Sequence, residues 1–282
     1  MYPSASSPLS VSFFVNHPTP YPAINTLLRE LRSGARAILG EGWIGMYLTG
    51  SLASGDFDPQ RSDIDFVIAT TGEFSAAEVQ ALEAMHSRLS AGGSIWARRL
   101  EGSYIPQGAL RRYNPAAALY PSVQVGGTFG IDGQGIDGIL QRFLLREQGI
   151  ALSGPPPRNL IDPVSADDLR MASRGILLEW WQPQLHDPHR MFVREYQAYA
   201  VLTMCRILYT IQHGTLVSKP KAARWAREIL GEKWAGLIDR ALAWQPDDGV
   251  DDLQETLDFI RFTIKNTSLF PTLSVGEIVV VG

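Results

Sequence analysis

Two short segments constrain the fold more than anything else in the chain. One is Leu48-Thr49-Gly50-Ser51-Leu52-Ala53-Ser54-Gly55. The other is Ser62-Asp63-Ile64-Asp65-Phe66-Val67. The first closes an apolar run with a Gly-Ser turn, and the second reads as a β-strand carrying aspartate at alternate positions. Side chains on a strand alternate faces, so Asp63 and Asp65 fall on one side about 7 Å apart, while Ile64 and Phe66 turn to the core. Asp is depleted in strands, so a pair on one face needs a reason to be there. Two carboxylates so placed suit Mg²⁺, which takes oxygen ligands and shares them with phosphates. The backbone N–H groups of the Gly-Ser turn, with the Ser51 hydroxyl, offer donors to an anion beside them.

The chain is long enough for one large domain or two ordinary ones, at 282 residues. A hydrophobic fraction of 45% with 19% charged residues is that of a globular protein with a sizeable core. The net charge of −4 gives no global basic footprint for nucleic acid. Cys205, the single cysteine, excludes an intrachain disulfide and a multi-cysteine zinc site, and its apolar surroundings predict a buried packing residue. Met1 to Pro22 has no Lys or Arg ahead of its short apolar stretch and does not read as a signal peptide. No apolar run approaches the length of a membrane span. The expected compartment is the cytoplasm.

Periodicity predicts a helix over Pro22 to Leu39 closed by Gly40, a strand over Ile44 to Thr49 and a second strand over Asp63 to Ala69. Ser75-x-x-Glu78 has the form of a capping box opening a helix to about Ser90, which Gly92-Gly93 ends. Ile95 to Tyr104 is a third strand candidate. Pro106 to Gly135, rich in Gly, Pro and Tyr, is expected to be a long loop with some short strand. Helical spacing returns over Ile136 to Gln148, and Gly154-Pro155-Pro156-Pro157 reads as a stiff linker. Beyond it a helix capped by Ser165-x-x-Asp168 is expected to run to Trp181. A long helix over Arg190 to His213, ended by Gly214, should follow, with further helices from Pro220 to Leu230, Lys233 to Ala243 and Asp251 to Asn266. The apolar tail Ile278 to Val281 reads as a short added strand. The fold class is therefore α+β, with a mixed-sheet domain over 1–154 and an α-helical bundle over 155–282.

Gly50-Ser51 followed by Ser62-Asp63-Ile64-Asp65 and an apolar run resembles the nucleotidyltransferase superfamily, whose fold is shared with DNA polymerase β. In the second half, Val201 to Thr210 is followed by Gly214 and Ser218-Lys219-Pro220-Lys221-Ala222-Ala223-Arg224-Trp225. That succession resembles the helical domain of the aminoglycoside 3″-adenylyltransferase family, the streptomycin and spectinomycin resistance enzymes. The resemblance runs from about Ile44 to Leu269. It implies ATP as co-substrate, Mg²⁺ (two ions) on Asp63 and Asp65, and AMP transfer to a hydroxyl of an aminoglycoside or aminocyclitol. Gly50, Ser51 and Ser62 would lie along the triphosphate. A third carboxylate is expected on the next strand, and Glu101 is the candidate, as the base that deprotonates the acceptor hydroxyl and as a further metal contact.

At helical spacing Tyr199, Thr203, Arg206 and Thr210 share one stripe, expected to face a cleft, while Val201, Cys205 and Leu208 share the stripe that faces the core. An arginine among apolar residues suits a phosphate clamp, and Lys219 falls at a helix N-terminus, where ammonium and dipole act on an anion together. The resemblance implies that Arg206 and Lys219 hold the β- and γ-phosphates. A polycationic acceptor calls for carboxylates and aromatic faces, and Trp181, Glu195, Tyr196 and Tyr199 are the candidates. The family's 3″ enzymes use an acid near the start of the long helix for streptomycin. Tyr196 stands there in this chain, with Glu195 adjacent, which departs from the pattern. His186 and His189 read as surface residues.

The expected partners are ATP and a small, polyhydroxylated, cationic acceptor, with no nucleic acid and no membrane, in a chain for which a monomer suffices. Two other readings stand beside this one. The same fold could act on another metabolite or AMPylate a protein, or the chain could be a non-catalytic nucleotide-binding module.

Overall fold

The structure, a computed structural model, describes residues 18–117, 119–245 and 251–267. The Ile278–Val281 strand expectation and most of the Met1–Pro22 leader reading lie outside these residues. The chain divides into two compact units, one formed by 1–135 and 144–162, the other by 136–143 and 163–282.

The first unit opens with α1 (Pro22–Leu39), where Pro at the first turn pre-sets φ and Gly40 ends the helix at φ 52°. β1 (Trp43–Leu48) follows, then the short α2 (Gly50–Ser54), β2 (Ile64–Thr70), α3 (Ala76–Ala91) and β3 (Leu100–Pro106). α3 begins with the capping box the sequence predicts. Ser75 Oγ accepts the Glu78 N–H at 3.2 Å, and the Glu78 carboxylate accepts the Ser75 N–H at 2.8 Å. α4 (Gln107–Arg111), β4 (Leu119–Val123), β5 (Phe129–Gly133), the second half of α5 (Gly138–Gln148), whose first half belongs to the second unit, and β6 (Ile150–Ser153) complete the series.

The six strands form one mixed sheet in the order β5-β4-β3-β2-β1-β6. β2 and β3 run parallel, and every other neighbouring pair is antiparallel. The parallel pair needs a crossover, which α3 provides. One face of the sheet packs against α1 and α3 through Leu28, Leu31, Met46, Leu48, Ile64, Phe66, Ile68, Leu82 and Tyr104. The other buries Tyr47, Val67, Ala69, Ile105, Tyr120 and Leu145.

Three expectations change here. The second strand starts at Ile64 rather than Asp63, so Asp63 lies at its entry. Ile95 to Tyr104 is not one strand. Ala97–Arg99 form a 3₁₀ turn, with the Arg98 carbonyl accepting the Gly126 N–H at 2.6 Å, and the strand is Leu100–Pro106. The stretch expected as a long loop with some short strand holds more regular structure, α4 and the β4–β5 hairpin, turned by Gly126 and Gly127 at φ 98° and 86°.

The second unit is helical. α6 (Ala166–Ile176) starts at a second capping box, Ser165 with Asp168, and passes into a π-helical turn over Leu177–Trp181. 3₁₀ turns at Pro183–Leu185 and His189–Phe192 lead to α7 (Arg194–His213), so the long helix begins four residues later than expected. α8 (Lys219–Leu230), α9 (Glu232–Ala243) and α10 (Leu253–Thr267) follow. α7 is central, touching α6, α8, α9 and α10. Val201, Met204, Cys205 and Leu208 join Ala222, Ala226, Trp234, Ile238, Phe259 and Ile260 in one core. Asp252, buried, accepts from Arg240 Nε at 2.8 Å and lies 2.9 Å from Arg194 Nη2, which ties α7 and α9 to the start of α10.

Candidate active site

β2 and β3 present their carboxylates together because they run parallel in register. Asp65 pairs with Glu101, flanked by Ile64 with Leu100 and Phe66 with Gly102. In-register neighbours on adjacent strands share a face, with backbones about 4.8 Å apart. Ile64, Phe66, Leu100 and Tyr104 fill the face towards α1 and α3. Asp65 and Glu101 therefore take the other face, ahead of Val67, Ala69 and Ile105, which bury it further along both strands. Both acids are half-buried at the strand entries, and so is Asp63.

The Gly-Ser turn closes over this position. Thr49 donates its N–H to the Asp65 carbonyl at 3.1 Å. Gly50 takes φ 62°, and a Cβ there would collide with Asp65 Oδ2, so the backbone lies directly against the carboxylate. Ser51 follows in α2, which Gly55 ends at φ 81°. Ser62 is bound into the loop before β2: its Oγ accepts the Asp58 N–H at 2.9 Å and its N–H donates to the Asp58 carbonyl at 2.8 Å.

The donor set of Asp63, Asp65 and Glu101 is chemically suited to Mg²⁺. Among the described residues no group of three or more His, Cys, Asp or Glu is gathered as a ready-made metal cage.

In the second unit Arg206 is half-buried on α7 and Lys219 is the first residue of α8, with Ser218 before it. The Lys219 Nζ stands 4.0 Å from the Tyr199 ring centroid, a cation–π contact. Tyr199, Tyr196 and Trp181 form a ring cluster with centroids 5.6–5.9 Å apart. Glu195 is exposed in the first turn of α7.

Two placements correct the sequence reading. Trp181, taken as a substrate contact, is 1% exposed and packs in the core, whereas Trp180 beside it is 46% exposed. Trp180 is the surface member of the pair. Its indole donates to the Tyr196 hydroxyl at 3.2 Å, and the Arg190 guanidinium stands 5.1 Å from its ring centroid. The α7 stripe of Tyr199, Thr203, Arg206 and Thr210 is also mixed: Thr203 and Thr210 are buried, and Thr210 Oγ1 donates back to the Arg206 carbonyl at 2.8 Å. Val201, Cys205 and Leu208 are buried as expected, and burial pushes the Cys205 thiol pKa well up. His186 and His189 are exposed.

A sheet whose parallel strand pair presents paired acids beside a Gly-Ser turn defines a nucleotidyltransferase. Residues 28–90 match the family model described as nucleotidyltransferase domain, and residues 159–266 match that of the aminoglycoside adenylyltransferase C-terminal domain. Curated relatives called aminoglycoside (3″) (9) adenylyltransferase come from Escherichia coli and Klebsiella pneumoniae. Each is 26% identical to this chain and covers 84% of it and 94% of the relative. The solved structure of spectinomycin adenyltransferase AAD(9) from Enterococcus faecialis with ATP and spectinomycin is similar at a TM-score of 0.67. It is 17% identical, covers 85% of this chain and 98% of that one, and shares the fold. The chain carries regions similar to the nucleotidyltransferase domain and to the aminoglycoside adenylyltransferase C-terminal domain, and is an enzyme of the nucleotidyltransferase type. No helix among the described residues is long and apolar enough to cross a membrane.

Proposed function

We propose that the chain transfers AMP from ATP to a hydroxyl of an aminoglycoside or aminocyclitol such as spectinomycin or streptomycin, and releases pyrophosphate. The observation that carries this is the register pairing of Asp65 with Glu101 under the Gly50 backbone. Glu101 takes the proton from the acceptor hydroxyl. The freed oxygen forms a bond to the α-phosphorus, and the bond from that phosphorus to the β-phosphate bridging oxygen breaks, the electron pair leaving with pyrophosphate. Asp63 and Asp65, with Glu101 at the edge of the set, would hold Mg²⁺. When bound, Mg²⁺ supplies charge neutralisation to the phosphates.

Gly50, Ser51 and Ser62 donate along the triphosphate, with the Ser62 hydroxyl free to do so while it accepts from Asp58. Arg206 and Lys219, in the second unit, are assigned the β- and γ-phosphates, as in the family this chain resembles. Glu195, Tyr196 and Tyr199 are assigned to the acceptor, where aromatic faces and a carboxylate suit a cationic ring. Trp181 is not carried forward in that role because it is buried. The two units are read as the nucleotidyltransferase domain and the helical domain of such an enzyme, working in the cytoplasm, where ATP and Mg²⁺ are at hand.

The test is pyrophosphate release from ATP and Mg²⁺ across a panel of aminoglycosides including spectinomycin and streptomycin, with the mass of the product. Release that depends on one compound, with a gain of one AMP, is expected. Asp63→Ala and Glu101→Gln should each abolish transfer while leaving the unfolding transition in place. Transfer retained by both variants would sink the mechanism.

A further inference from the structure

One side chain ties the loop that leads into Asp63 to the strand that carries Glu101. Arg99 is the last residue of the 3₁₀ turn before β3. Its Nη1 donates to the Pro59 carbonyl at 2.6 Å and its Nη2 to the Gln60 carbonyl at 2.9 Å. Its guanidinium also stands 5.4 Å from the Trp96 ring centroid, and Trp96 meets Phe57 of the same loop at 6.1 Å. Both ends of this strap are themselves anchored. The Arg98 carbonyl accepts the Gly126 N–H from the β4–β5 hairpin. In the loop, the Asp58 carboxylate pairs with Arg61 at 2.7 Å, and the Asp58 backbone bonds the hydroxyl and the N–H of Ser62. Arg99 precedes Glu101 by two residues, and Arg61 precedes Asp63 by two.

We propose that Arg99 is a positioning residue that fixes the entry of β2 against the entry of β3, and so sets Asp63 relative to Glu101. It touches neither nucleotide nor acceptor. A planar guanidinium reaches two successive carbonyls with separate nitrogens, which a lysine ammonium cannot reproduce. The contacts lie at the surface, so losing them loosens a loop rather than a core. The inference rests on the assignment of Asp63, Asp65 and Glu101 made above.

The experiment compares Arg99→Ala, Arg99→Lys, Arg98→Ala and Asp63→Ala with the parent. Three quantities are read: amide hydrogen exchange of 55–62 in the ligand-free protein, the Mg²⁺ dependence of ATP binding by calorimetry, and kcat and KM for ATP with spectinomycin as the acceptor probe. Arg99→Ala should exchange faster in 55–62 and elsewhere match the parent. Its kcat should fall, and its Mg²⁺ requirement rise, by about 10- to 100-fold, the range seen for outer-shell positioning groups, with KM for ATP little changed. Arg99→Lys should behave like Arg99→Ala, and Arg98→Ala like the parent. Unchanged exchange, full rescue by Arg99→Lys, or a parental kcat would overturn the proposal. If Arg99→Ala does not fold, the folded Arg99→Lys decides by the same readouts. Transfer retained by Asp63→Ala overturns the site assignment itself, whereas an inactive Asp63→Ala beside a fully active Arg99→Ala overturns the positioning role alone.

Discussion

Gly50 does two things that no other residue could do at its position. It adopts a left-handed φ of 62°, and it leaves the Asp65 carboxylate room that a Cβ would occupy. Gly55, five residues on, shares the left-handed backbone at φ 81° but has open space where a Cβ would go. The pair separates strain from collision. Alanine at either should cost about 1–2 kcal/mol of stability through the backbone alone. Only Gly50→Ala must also displace Asp65, and a shift of about 1 Å in a reacting group costs on the order of 100-fold in rate. Urea unfolding and AMP transfer of the two variants check this; equal loss of transfer in both would show that the carboxylate contact is irrelevant. Residues of this kind were legible in the chain because glycine and aspartate at fixed spacing report a local backbone requirement. The adjacent tryptophans were not. Trp180 and Trp181 differ in burial through tertiary packing, which leaves no local mark on their composition.

Elements were readable where their ends are made by neighbours in sequence. Ser75 with Glu78 and Ser165 with Asp168 are capping boxes whose bonds span three residues, and both form as spelled. Gly40 and Gly214 stop their helices at positive φ for the same local reason. Ser75→Ala should cost about 1 kcal/mol, because it removes the acceptor of the Glu78 N–H and the hydroxyl bound to the Glu78 carboxylate. The Ser75 hydroxyl and then the Ser75 N–H, both donating to the Glu78 carboxylate, hold it below its ordinary pKa, so the variant, which removes the hydroxyl, should return Glu78 part of the way towards that value. Chemical unfolding and a carboxyl titration measure both; a normal Glu78 pKa in the parent would refute the cap. The β4–β5 hairpin and the true start of β3 escaped the sequence reading. Both depend on partners far along the chain, in β4 pairing with β3 and Gly126 pairing with Arg98.

Across the whole molecule, the least visible consequence of the sequence is a buried histidine. His86 on α3 is 1% exposed, stacked between Phe66 and Phe129, with Nε2 2.8 Å from the Tyr104 hydroxyl. Burial alone lowers its pKa to about 4 from 6.5. The folded protein therefore keeps the ring neutral over a range in which the unfolded chain protonates it. The unfolded state binds more protons between these values, so stability is full above pH 6.5 and falls as the pH drops towards 4. Down to pH 5, before most carboxylates titrate, the single site accounts for about 2 kcal/mol. His86→Gln keeps a polar partner for Tyr104 and cannot titrate. Urea midpoints measured from pH 7.5 to 5 should fall for the parent and stay nearly level for His86→Gln, with the carboxylate contribution common to both. An equal decline in the two would place the acid sensitivity elsewhere, and His86 would then take up its proton in the fold over the same pH range as in the unfolded chain despite its enclosure.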